Sequence, residues 1–362
     1  MSQMLEQEKE MCIQLNSKNK IYEISKRNFL DDYANYKSQE IDMTLSGKYL
    51  YEYPKFTIDY STFSEYPTHK DVLKLTETIK KIKNIHEKEV VIGTGANGLL
   101  QNLVKILFRE GGNLITPYLT FNQPEYAVTT MNGSTKRVYM EKSGQISLLN
   151  IIKSIDEKTK MIYICNPNNP TGMLMNNKNI LEIAKSTDSY VVIDESAIEF
   201  SEKNSLLNEK SLPNNIIIVR SLSKAYGISN LRIGYIICSK ELKKLYEKNV
   251  TVNEVSGISC QYAIKVLLSD KYKKNIKMII DERKNIEENL KDLGIKFFKS
   301  QSNILCTKNQ LNDENIKKLY NNNVSVMKVY DENNVLHMRI AIQEKDKNEA
   351  FIRACKKVFI KL

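Results

Sequence analysis

Residues 160–172 read KMIYICNPNNPTG: a nearly continuous apolar run that stops at a turn built from two prolines, three asparagines and a glycine. An apolar run bounded by such turn chemistry reads as a strand buried on both faces. The pattern recurs downstream in YVVIDES (190–196), NIIIVRSLS (215–223) and RIGYIICS (232–239). Upstream it appears in EVVIG (89–93), LIT (114–116) and KRVYM (136–140). Helix-like segments fall between them at 98–110, 123–131 and 147–155. Strands alternating with helices predict an α/β fold with a mostly parallel sheet covered on both faces. Ligands of such a sheet sit beyond the carboxyl ends of its strands, which is where the polar motifs of this chain fall.

The pattern changes after about residue 257. A long helical region runs to roughly 293, followed by ILCT, a helix near 313–321, SVMKV, LHMRIAI and a terminal helix near 345–360. This reads as a smaller α+β domain. With 362 residues, two domains are the expected number. Their boundaries are set at 46–255 for the large domain and at 1–45 plus 256–362 for the small one, the first segment being a charged helical lead-in.

Composition narrows the class. Hydrophobic residues make up 41% and charged residues 27%, which fits a globular chain able to bury a large core. The six cysteines stand singly, none in a CxxC, and there are three histidines, so no structural metal is expected. The N-terminus, MSQMLEQEKEMCIQLNSKNK, is charged and lacks the apolar centre of a secretion signal. No run of about 18 apolar residues is present. A cytoplasmic protein with reduced thiols, bound to no membrane, is the expectation. The formal charge of +11 raises nucleic acid as a partner. However, the lysines are scattered among acids, as in KKIKNIHEK, rather than clustered with aromatics, and no binding module is visible.

Four segments carry chemistry. In SLSKAYG (221–227), Lys224 follows a buried strand between hydroxyls, and Arg232 comes eight residues later. Such a lysine can react through its amine with an aldehyde cofactor, while the serines and the arginine fork suit a phosphate. Alone, SLSK is short and reads first as a surface lysine in a polar loop. In NPNNPTG the turn can aim an asparagine amide into a pocket. Asp194 ends a buried strand, and a carboxylate there needs a partner such as a protonated pyridine nitrogen. GTGANG (93–98) places glycines before a helix whose free N–H groups suit a phosphate, with neither dinucleotide nor P-loop spacing.

In this order, over about residues 60 to 345, the segments resemble the fold-type-I pyridoxal-phosphate enzymes of aminotransferase class I and II. Within these they look most like the histidinol-phosphate aminotransferase group and the related threonine-phosphate decarboxylases. The resemblance implies a seven-stranded-type sheet and pyridoxal 5'-phosphate as cofactor. It implies that Lys224 carries the cofactor, that Asp194 pairs the ring nitrogen and that Asn169 bonds the ring 3-oxygen. Ala96, Asn97, Ser221, Ser223 and Arg232 would cradle the phosphate. Phe121, in PYLTFNQPEY, matches the aromatic that stacks on the ring. Tyr66, in SEYPT, matches a tyrosine that reaches the phosphate of the neighbouring subunit in a homodimer with shared sites. Arg339, in HMRIAI, matches the arginine that holds the substrate's acidic group, and Lys328 is the candidate second cation. The chain departs from the family at Ala197, where a tyrosine usually stands. The implied reaction moves an amino group between a phosphorylated amino substrate, such as histidinol phosphate, and a 2-oxo acid, such as 2-oxoglutarate. The alternative on the same site is decarboxylation of threonine or serine phosphate.

Overall fold

The computed structural model of the chain describes residues 39–44, 52–67, 69–250, 253–308 and 311–359. Ile41–Leu362 make one compact unit. The helical lead-in expected over residues 1–45 lies outside the described residues, apart from 39–44.

In chain order the strands are β1 (Ile41–Asp42), β2 (Glu89–Thr94), β3 (Asn113–Pro117), β4 (Ser134–Val138), β5 (Thr159–Cys165) and β6 (Tyr190–Asp194). They continue with β7 (Ile216–Ser221), β8 (Ile233–Cys238), β9 (Ile304–Cys306), β10 (Val324–Ser325), β11 (Met327–Tyr330) and β12 (Leu336–Ala341). The helices are α1 (His69–Ile82), α2 (Gly95–Leu107), α3 (Gln123–Thr130), α4 (Leu148–Ser154) and α5 (Asn177–Lys185). They are followed by α6 (Lys240–Asn249), α7 (Gly257–Leu268), α8 (Lys271–Asp292), α9 (Asp313–Asn321) and α10 (Lys345–Val358).

Seven strands form the large sheet in the order β2-β8-β7-β6-β5-β3-β4. The run from β4 to β7 is parallel, and β8 runs antiparallel to both its neighbours. The exception has a simple cause. Residues 222–232 join β7 to β8 without a crossover helix, and a parallel return needs a longer connection, usually a helix. Alternate residues of the central strands serve two cores. Ile162, Ile164, Val191, Ile193, Ile216 and Ile218 pack into one, with α5 and α7. Met161, Tyr163, Cys165, Val192, Ile217 and Val219 pack into the other, with Leu99, Leu100 and Leu103 of α2. Period-two alternation of this kind makes a mostly apolar strand read as one unbroken run.

Beyond α8 a three-stranded antiparallel sheet has the order β11-β12-β9. Separately, β1 pairs in parallel with β10. The Met43 N–H donates to the Ser325 carbonyl at 2.9 Å, and the Ala341 N–H to the Met43 carbonyl at 2.7 Å. The helical region read over 257–293 is two helices, broken where Asp270 takes a left-handed φ of 55°. Asp tolerates that conformation through its short polar side chain, so no glycine or proline marks the break.

Candidate active site

The carboxyl ends of β5, β6 and β7 deliver one motif each. After β5, the NPNNPTG turn uses two of its asparagines to hold itself. Asn166 exchanges hydrogen bonds with the backbone of Met175, at 2.7 and 3.3 Å. The Asn168 amide donates to the Leu119 carbonyl and to Thr171 Oγ1, and its oxygen accepts from Thr120 Oγ1 at 2.6 Å. Gly172, at φ 70°, closes the turn, and a Cβ there would stand 2.1 Å from Ser300 Oγ. Asn169 is left with a side chain that bonds to none of the described residues, on a loop its neighbours have locked.

At the end of β6, Asp194 is buried. Its Oδ1 accepts the Ser196 N–H at 2.9 Å, and its Oδ2 accepts the Tyr163 phenol at 2.9 Å. Lys224 lies three residues past β7 and forms no salt bridge among the described residues. Cys165 shows that these groups converge. Its thiol donates to the Pro167 carbonyl at 3.3 Å, and its acidity responds to both the Asp194 and the Lys224 side chains. Burial first, and then Asp194, push this thiol up to about 12, with Lys224 pulling the other way. Cys165 is therefore a neutral wall residue at working pH.

A cradle for an anion lies at the start of α2. Thr94 precedes the helix without capping it by its side chain, so first-turn N–H groups stay available. Gly95 has φ 72°, and a Cβ on it would stand 2.6 Å from Arg232 Nη2. The guanidinium thus lies against the helix start, anchored by a 3.0 Å bond from Nη1 to the Ser229 carbonyl. Arg232 itself holds a left-handed φ of 52°, a strain of the kind that collects at ligand sites. Ser221 ends β7, and its Oγ accepts the Ser223 N–H at 3.1 Å. β8 binds the two sides together, since Gly234 pairs with Gly93 on one side and with Ser221 on the other. Asn97 Oδ1 is buried beside this cradle with no hydrogen-bond partner among the described residues. Uncapped N–H groups, two serine hydroxyls and an arginine supply the donors that fit a phosphate. An amine, a carboxylate and an amide, of Lys224, Asp194 and Asn169, stand at the adjacent strand ends, a set whose chemistry suits an aldehyde and a pyridine ring.

The remaining candidates fall out differently. Ala96 and Phe121 pack against the hydrophobic cluster that contains Tyr163 and Cys165, which puts them on the site's face of the sheet. Tyr66 is 85% exposed, on a segment that also exposes Tyr60 and Phe63. Arg339 is buried in β12, where its Nη1 donates to the Thr44 carbonyl at 2.8 Å. Lys328 does not join it. The register opposes Met327 to Arg339 and Lys328 to Met338, which puts the two cations on opposite faces of the small sheet. The Lys328 ammonium is paired with Asp313 of α9. Ala197, where the family has a tyrosine, is buried in the other core.

Three features were not singled out from the sequence. Tyr163 sits inside an apolar run and looked like core. Tyr53, whose phenol donates to the Gly227 carbonyl at 3.1 Å, gave no signal. Arg220, which shows no exposure, holds Glu195 at 2.8 Å and Glu199 at 2.9 Å directly behind Ser221 and Asp194. An arginine in a buried strand beside a DExxxE stretch was the available clue.

The fold and the site define a pyridoxal-phosphate-dependent aminotransferase. Residues 51–355 match the family model described as aminotransferase class I and II, and the chain belongs to that family. Among curated relatives it is similar to the histidinol-phosphate aminotransferase 1 of Archaeoglobus fulgidus, at 30% identity over 83% of this chain and 92% of the relative. It is also similar to the histidinol-phosphate aminotransferase of Methanosphaera stadtmanae, at 31% identity over 78% of this chain and 80% of that one. Among solved structures, the histidinol-phosphate aminotransferase of Sinorhizobium meliloti in complex with pyridoxal-5'-phosphate superposes with a TM-score of 0.81 at 17% identity, covering 94% of this chain and 98% of that one. The corresponding enzyme from Clostridium acetobutylicum superposes at 0.79 and 22% identity, covering 89% and 99%.

Proposed function

We propose that this aminotransferase moves an amino group between a phosphorylated amino substrate of the histidinol-phosphate kind and a 2-oxo acid such as 2-oxoglutarate. The observation that carries the reading is that the adjacent parallel strands β5, β6 and β7 deliver Asn169, Asp194 and Lys224 to one end of the sheet, next to the cradle of Ser221, Arg232 and the start of α2. Relatives of that name at about 30% identity support the substrate class.

Pyridoxal phosphate, when bound, supplies an electron sink for the bond broken at the substrate's alpha carbon. The chain's own residues do the rest. Ala96, Asn97, Ser221, Ser223 and Arg232 hold the phosphate. Asp194 keeps the ring nitrogen protonated. Asn169 donates to the ring 3-oxygen, and with Ala197 in place of a tyrosine this amide carries that role without a phenol. Phe121 covers the ring face. The Lys224 amine would hold the cofactor and would serve as the base that takes the proton from the substrate's alpha carbon and the acid that returns it. Arg339 receives the substrate's acidic group, whereas the Lys328–Asp313 pair and the opposite-face register leave Lys328 outside this role.

The proposed assembly is a cytoplasmic homodimer in which the partner subunit's Tyr66 completes the phosphate site. The high exposure of Tyr60, Phe63 and Tyr66 supports an apolar contact there. The proposed large domain spans residues 46–255, with the small one built from 1–45 and 256–362.

The test is a panel of amino donors, phosphorylated and not, assayed with 2-oxoglutarate for glutamate and in parallel for carbon dioxide. Glutamate formed from histidinol phosphate is the expected result. Carbon dioxide released from threonine phosphate with no oxo acid consumed would overturn transamination in favour of decarboxylation.

A further inference from the structure

The strand register places a phenol behind the carboxylate that ends β6. Cys165 lies beside Asp194 across the β5–β6 pair, and Tyr163, two residues back on the same face, is one step down the sheet. Its hydroxyl donates to Asp194 Oδ2 at 2.9 Å, while the Ser196 N–H donates to Oδ1 at the same distance. The Tyr163 side chain is fully buried and Asp194 nearly so. The carboxylate is therefore gripped at both oxygens, leaving acceptor positions on each for one further donor.

We propose that Tyr163 is a positioning residue for the cofactor site, its hydroxyl fixing the plane of the Asp194 carboxylate so that it faces the ring nitrogen. The proposal rests on the reading of Asp194 given above.

Three physical points carry it. A hydrogen bond given to a carboxylate fixes its orientation, and the bond is stronger where water is excluded. The phenol keeps its proton to give: burial, and then the Asp194 charge, push its pKa well above the ordinary tyrosine range. Finally, a buried Tyr hydroxyl needs a partner, and core packing alone would be met by Phe. The hydroxyl here is spent on the one carboxylate that faces the site, rather than on a nearby backbone carbonyl.

The experiment is a double-mutant cycle. Pyridoxal phosphate is titrated into apo protein carrying the natural sequence, Tyr163→Phe, Asp194→Asn, or both, followed by visible absorbance and protein fluorescence, with the apo thermal midpoint of each recorded alongside. Tyr163→Phe should weaken cofactor binding roughly tenfold, the size expected for one lost bond to a charged group. In the Asp194→Asn background, removing the hydroxyl should change affinity by less than about twofold, since interacting sites are not additive.

Unchanged affinity in Tyr163→Phe would overturn the proposal, and so would an equal loss in the Asp194→Asn background, which marks mere packing. A Tyr163→Phe chain that cannot fold assigns the phenol to stability and overturns it too. If the natural chain binds no pyridoxal phosphate, the reading of the whole site falls. If it binds while Tyr163→Phe is indistinguishable from it, only the role of Tyr163 falls.

Discussion

Replacing Arg220 by methionine removes the guanidinium from between two sealed carboxylates. Arg220 Nη2 lies 2.8 Å from Glu195 Oε2 and Nη1 lies 2.9 Å from Glu199 Oε1, with essentially no exposure on any of the three side chains. Breaking a buried pair by deleting one partner costs about 3–5 kcal/mol, and here a single deletion strands two acids. The expected loss at neutral pH is therefore about 4 kcal/mol or more, a large share of the roughly 5–15 kcal/mol that stabilises a typical native protein. The loss should depend on pH, with a defined sign. Burial already raises the Glu195 carboxyl above its ordinary value, opposed chiefly by Arg220. Without the guanidinium it rises further. A group whose folded pKa is raised contributes its stability fully below the unfolded value, and that contribution is lost as pH climbs through the folded one. The deficit should thus be smaller at about pH 5 than at about pH 8. Urea unfolding of apo protein at both pH values measures it. Combining Arg220→Met with Glu195→Gln and Glu199→Gln should recover part of the loss, because removing every charge avoids an uncompensated one. A loss below about 1 kcal/mol, or one equal at both pH values, would refute the reasoning.

Two further outcomes follow from the packing. A Cβ at Gly234 would stand 2.6 Å from Gly95 C, 2.7 Å from Ala96 N and 2.9 Å from the Arg220 carbonyl oxygen, all backbone atoms unable to swing aside. Gly234→Ala should cost about 1–3 kcal/mol in urea unfolding and weaken binding of inorganic phosphate, and unchanged phosphate affinity would contradict the cradle. Burial pushes the thiols of Cys165, Cys238 and Cys260 up to about 12. In native protein near pH 8 these three should stay unlabelled by iodoacetamide in peptide mass mapping, while stability falls as pH rises from about 9 through that value. Labelling at the rate of the urea-unfolded chain would show that the thiols are not sealed.

Much of this was legible in the sequence because buried strands and turn chemistry are local signals. EVVIG, KMIYIC, YVVID and IIIVRS each became a strand of the large sheet, and each motif after them came to a strand end. What the sequence hid is long-range or depends on a single residue of register. SVMKV reads as one strand, yet it divides between β10 and β11, which belong to different sheets. That division sets Lys328 on the face opposite Arg339, because a one-residue step along a strand reverses the side chain. Tyr163 was invisible as a partner of Asp194, since an aromatic inside an apolar run satisfies the strand pattern whether or not its hydroxyl has a task. Arg220 was hidden similarly, its two acids lying 21 and 25 residues earlier in the chain.

The central claim is that the Lys224 amine carries pyridoxal phosphate at the carboxyl end of the large sheet. Borohydride reduction of the cofactor-loaded protein, followed by peptide mass mapping, tests it most directly. The pyridoxyl mass should appear on the peptide containing Lys224 and vanish in Lys224→Ala, together with the visible absorbance. A label spread over surface lysines, or retained in full by Lys224→Ala, would contradict the account.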